Sequence, residues 1–148
     1  MKSMKAYMPI LLLGLLTFMT GTVAAQDYQL SISPSWIGWY NPCISGSVAV
    51  VSGTTNVDYQ QNSSHEVVHV QFQGAGQDYL VNFEANAQFD LTAIPDSFGV
   101  PFHSVWVGQG SVPNFTMDGT VLVSMDQTSG LPIGSHVTPD GLQTSCTN

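Results

Sequence analysis

His65-Glu66-Val67-Val68-His69 is the stretch of this chain whose residue types and spacing match a catalytic pattern. On a helix, residues four apart share a face. Both imidazoles then reach one Zn²⁺ while the glutamate serves as general base. His103 or His136 would complete the ligand set. The neighbouring residues point to a different geometry. Val67, Val68 and Val70 are β-branched, and Val68, Val70 and Phe72 alternate with period two, which suits a strand. On a strand His65 and His69 stand about 13 Å apart and cannot share one ion. The expectation is therefore an ordinary strand with polar side chains on its solvent face and no cofactor. A small zinc-dependent hydrolase using His65, Glu66 and His69 is the alternative.

The second chemical feature is aromatic. Trp36-Ile37-Gly38-Trp39-Tyr40 lies between Pro34 and Pro42, so the segment is extended or loop-like. Exposed indole and phenol rings stack on the apolar C–H faces of sugars. On a strand Trp36 and Trp39 face opposite ways, one outward and one inward. Trp106, on another β-rich run, could extend a platform formed by Trp36, Trp39 and Tyr40. The competing role for all four is core packing. The serines form no Gly-x-Ser-x-Gly elbow, and the aspartates fall mostly at turns, where they are usually structural.

Charge narrows the partners. The only two Lys or Arg residues are Lys2 and Lys5. Both fall in a segment with the three parts of a secretory signal: a positive start, an apolar core from Ile10, and Val23-Ala24-Ala25 before a cut ahead of Gln26. Loss of the two lysines takes the formal balance from −8 to −10 and leaves ten carboxylates with no basic side chain but histidine. Nucleic acid and anionic membrane are excluded as partners, because both need cations to neutralise phosphate. Crowding of carboxylates predicts raised pKa values and tolerance of acid. Cys43 and Cys146 are the only cysteines. In an oxidising compartment they close into a disulfide, worth roughly 4.7 kcal/mol for a loop of about a hundred residues.

The elements that must position these groups are β-strands. Tyr28 to Ile32, Gly46 to Val51, Val67 to Phe72, Asp78 to Leu91, His103 to Val107 and Thr120 to Met125 are alternating or β-branched runs. Asp118-Gly119, Ser129-Gly130 and Asp140-Gly141 carry reversal chemistry, and Asp126 to Gly130 predicts a hairpin connection. Asn62-Ser63-Ser64 and Asn114-Phe115-Thr116 are formal glycosylation sequons. The expected fold is all-β: residues 26–148 form a single antiparallel β-sandwich, Ig-like or jelly-roll-like, with a small β-barrel as the alternative. The chain is expected to be secreted, extracellular or periplasmic, and its expected function is non-catalytic binding, at the cell surface or outside the cell, of a carbohydrate or another extracellular protein. Self-association as a structural subunit is the alternative role.

Overall fold

Period-two alternation runs through seven segments, and each is a strand in the computed structural model, which describes residues 26–61, 65–90 and 95–147. The expected leader and the Asn62 sequon lie outside the described residues. The strands are β1 (Gln26–Tyr40), β2 (Val48–Gln61), β3 (Glu66–Ala75), β4 (Tyr79–Phe89), β5 (Ser97–Gly108), β6 (Phe115–Met125) and β7 (Pro132–Cys146). They pair antiparallel in chain order as one sheet, β1-β2-β3-β4-β5-β6-β7. Among the described residues no helix forms.

The sheet curls so that one face of every strand looks inward. Val57, Val68, Val70, Phe72, Val100 and Val123 are fully buried there. Rings fill the space between them. Phe72 stacks on Phe83 at 5.6 Å and Phe83 on Phe102 at 4.5 Å between centroids. These rings do structural work that the backbone does not. The β4–β5 ladder runs only from Tyr79↔Gly108 to Asn82↔Val105. Beyond it, Phe83–Phe102 and Phe89–Phe98, the latter at 4.8 Å, hold the two strands together through side chains. Such aromatic pairs add about 0.5–1.5 kcal/mol each beyond their area burial.

A second cluster lies at the end of the sheet where β1 finishes. Trp106 stacks on Phe115 at 4.9 Å, and Tyr79 meets both rings edge-on. Buried Asn41 donates from Nδ2 to the Tyr79 hydroxyl at 2.6 Å, and that hydroxyl donates to the Pro113 carbonyl at 3.3 Å. Asn41 Oδ1 also accepts from the Cys43 backbone N–H at 2.9 Å. The asparagine thus shapes the loop that presents Cys43, which is bonded to Cys146 with a Cα–Cα distance of 5.1 Å. The bond joins the loop after β1 to the last residue of β7 and ties the two outermost strands together.

Three reversal signals behave differently from one another. Ser129-Gly130 is a turn, with Gly130 at φ 70° and its N–H bonded to the Asp126 carbonyl at 2.8 Å. Asp118-Gly119 and Asp140-Gly141 are not reversals. Both lie inside strands, at a bulge. Between the pairs Asp118↔Gln143 and Thr120↔Thr138, β6 contributes Gly119 alone while β7 contributes Pro139 to Leu142. Gly141 takes φ 73° there, a conformation that a bulge demands as readily as a hairpin does. Asp126, at the true turn, accepts from Thr128 N–H at 3.0 Å and Ser129 Oγ at 2.8 Å. These bonds hold its pKa below the ordinary carboxylate value, opposite to the direction that crowding predicts. The stability this group contributes is present above its unfolded pKa and is lost as pH falls.

The Asn41 network yields a direct test. Asn41→Ala leaves the buried Tyr79 hydroxyl without its donor and the Cys43 N–H without its acceptor. A urea melt should show a loss of about 1–3 kcal/mol. An unchanged midpoint would show that the network does not set the loop.

Candidate functional site

The outer face of β1–β4 carries what chemistry the chain has. Strand pairing arranges its outward side chains in rows. One row runs Gln29, Asp58, His69, Asn86 and the next Ser31, Asn56, Gln71, Glu84. Toward the end of the sheet where β1 finishes follow Thr54, Gln73 and Asn82, then Trp36, Ser52, Ala75, Leu80 and Val107. The face therefore grades from carboxylates and amides to an apolar strip. Trp36 is 67% exposed and Tyr40 72% exposed. Both point outward with Gly38 between them, and Gly38 and Tyr40 pair with Val50 and Val48 on β2. The spacing of four residues along a strand separates the two rings by about 13 Å.

Side chains within the polar rows hold one another. His69 Nδ1 lies 2.6 Å from Asn86 Oδ1, and Gln71 Nε2 donates to Glu84 Oε1 at 3.2 Å. An amide oxygen only accepts, so a proton on His69 Nδ1 makes this hydrogen bond. Two shallow grooves run over these rows. One, of about 660 Å³, is lined by Asp27, Gln29, Asp58, Gln60 and His69. The other, of about 540 Å³, shares Gln29 and Asp58 and continues along Ser31, Asn56 and Gln71. Carboxylates accept hydrogen bonds and amides both give and accept, which is the complement of a polyhydroxylated ligand. His103 and Asp118, paired at 2.7 Å, stand apart on the outer face of β5 and β6.

The aromatic residues named from sequence separate. Trp36 and Tyr40 share the outer face. Trp39 turns inward, half-buried, and touches Tyr40 edge-on at 6.3 Å. Trp106 is 0% exposed, so it has no face to offer a ligand and cannot extend a platform. Its alternation with Val105 and Val107 was readable, but which of the two faces lay inside was not.

The His65–His69 segment also resolves in space. Glu66 opens strand β3, so His69 points out and Glu66 points in with Val68 and Val70. A metal-binding helix face does not form, and the glutamate lies on the opposite side of the sheet from the histidine it would serve. Among the described residues no three His, Cys, Asp or Glu side chains gather into a set able to hold a metal ion. The residue that sequence reasoning missed is Glu66 as an interior group, 7% exposed. Its Oε1 accepts from Gln61 Nε2 at 3.1 Å, while Oε2 has no hydrogen-bond partner among the described residues. Tyr59 donates to this carboxylate. Burial, then the Glu66 charge, then that hydrogen bond push the Tyr59 hydroxyl up to about 12. The signal was available: Glu66 has the same parity as Val68, Val70 and Phe72.

No protein-family model, curated protein or solved structure matches this chain.

The raised Tyr59 value sets an alkaline limit. Its folded pKa exceeds the unfolded value of 10.0, so its contribution is complete below about pH 10 and fades as pH rises toward 12. Urea midpoints should fall between pH 9 and pH 11.5, and Tyr59→Phe should fall less. Equal falls in both proteins would remove Tyr59 as the cause.

Proposed function

We propose that this chain is a secreted, non-catalytic domain that binds a neutral glycan along the outer face of β1–β4. The observation that carries the reading is that Trp36 and Tyr40 both face outward on either side of Gly38, next to rows of amides and carboxylates with no lysine or arginine among them. Stacking supplies apolar contact at one end, and hydroxyl groups meet Asn56, Gln71 and Asp58 further along. The carboxylates on this face select against sulfated or uronic-acid chains by like-charge repulsion. Secretion rests on the leader pattern at residues 1–25 and is supported by the Cys43–Cys146 bond. A sandwich description draws support from the short β4–β5 ladder, which divides the curled sheet into β1–β4 and β5–β7 limbs packed through their rings.

A glycan array followed by calorimetry on the retained sugars tests this. A neutral oligosaccharide should bind, and Trp36→Ala should weaken it at least tenfold, as loss of a stacking ring does at about 1.4 kcal/mol per tenfold. Tyr40→Ala should act in the same direction. Failure of the wild-type protein to bind any neutral glycan, or unchanged binding by both variants, would overturn the reading.

A structural-subunit role has its own supporting observation. Leu80, Val105 and Val107 extend the apolar strip from Trp36 across to β5, and neither outermost strand carries a lysine, a common guard against edge pairing. Sedimentation at rising concentration in high salt, which screens the acidic charge, should then show association. A monomer at every concentration would dismiss that role.

A further inference from the structure

We propose that the neutral glycan held on the outer face is an oligomer carrying acetamido groups, and that one acetamide seats in a depression over β2–β5, between an apolar row ending in Leu80 and Val107 and an amide row formed by Gln73 and Asn82. The inference rests on the glycan reading and names the class of sugar.

The depression has a volume of about 560 Å³. It begins at Ser52, the direct β2 partner of Trp36, and crosses β3 and β4 to β5. Strand pairing sets its two sides. Ser52, Ala75, Leu80 and Val107 stand in register on one side. Gln73, Asn82 and Val105 form the neighbouring row, two residues along each strand and about 7 Å away. Leu80, Val105 and Val107 are exposed. Ser52 and Ala75 are short and leave room above the sheet between Trp36 and Leu80. Among the described residues no charged side chain lines this depression, whereas Asp27, Asp58 and His69 line the groove at the other end of the face.

The amides here differ from those further along the face. Gln71 is held by Glu84, and Asn86 by His69. Among the described residues no side-chain hydrogen bond engages Gln73 or Asn82. Each carboxamide therefore keeps its donors and its acceptor for a ligand. The group that fits is apolar on one side and both gives and accepts hydrogen bonds on the other. An acetamide has that form. Its methyl lies along Leu80 and Val107, and its N–H and C=O meet Gln73 and Asn82. A bare hydroxyl over the apolar row loses water and gains no partner. A wholly apolar ligand leaves both amides unpaired. An ammonium group finds no carboxylate in the depression, and a sulfate finds no lysine or arginine. Leu80 stands three strand spacings from Trp36, about 14 Å across the sheet. The acetamido sugar is therefore not the ring that stacks on Trp36 but another along the same chain, which makes the ligand an oligomer.

The test is calorimetry with two neutral probes, the β-1,4-linked tetramer of N-acetylglucosamine and the glucose tetramer of the same linkage. The acetylated tetramer should bind more tightly by about tenfold, the discrimination that a seated methyl gives. Leu80→Thr combined with Val107→Thr keeps β-branched, strand-compatible side chains at exposed positions. This double variant should lose most of that advantage while its affinity for the glucose tetramer stays unchanged. Asn82→Ala should act in the same direction, and Trp36→Ala should weaken both tetramers alike. Saturation-transfer NMR on the wild-type complex should give its strongest ligand signal at an acetyl methyl. Equal affinity of the wild-type protein for the two tetramers would overturn this inference and leave the glycan reading standing. So would an undiminished preference in the double variant, or binding of other neutral sugars with neither tetramer bound. Binding of no neutral glycan at all would remove both.

Discussion

Everything in this molecule depends on one curled sheet having to bury one whole face of itself. Beyond Lys5 the chain has no lysine or arginine. Among the described residues His103 and Asp118 pair at the surface, with both side chains more than half exposed. Stability falls to apolar burial, backbone ladders and the disulfide. The rings carry a large share. They fill the interior and bridge β4 to β5 where the ladder stops at Asn82↔Val105. The same demand explains why Trp106 is a core residue: the interior next to Tyr79 and Phe115 needs a large flat group more than the surface needs a third platform ring.

Much of the strand content was legible because period-two alternation is a direct consequence of the pleat. Val68, Val70 and Phe72, and Tyr79, Val81 and Phe83, fall on the buried face as their spacing demands. What escaped has physical reasons. β7 was invisible because Pro132, Pro139 and Asp140-Gly141 look like loop chemistry, and an outermost strand tolerates proline and bulges that a central strand would not. Asp118-Gly119 carries the dipeptide of a turn but serves a bulge. Alternation gives two faces without saying which is inside, so the outward Trp36 and inward Trp106 could be told apart only by the packing. Glu66 is the sharpest case. Its parity marked it as interior, yet a glutamate is rarely found there unless paired, and it needed Tyr59 and Gln61 beside it to be placed.

The outer face proposed as functional arises from this architecture. An antiparallel sheet with a single buried face leaves the other free to present rows of side chains at fixed spacing, which is what a chain-like ligand with repeating hydroxyls can use. Trp36 stands on this outer face and also lines two shallow grooves beside β7.

The central claim is that the ligand lies on the outer face while the interior is a closed core. The most direct measurement is an NMR titration of the ¹⁵N-labelled protein with a neutral oligosaccharide retained on the array. The account predicts shifts of the Trp36 indole N–H and of the Asn56 and Gln71 side-chain amides, with the Trp106 indole unmoved. Shifts centred on Trp106 and the core rings, or none on the β1–β4 face, would contradict it.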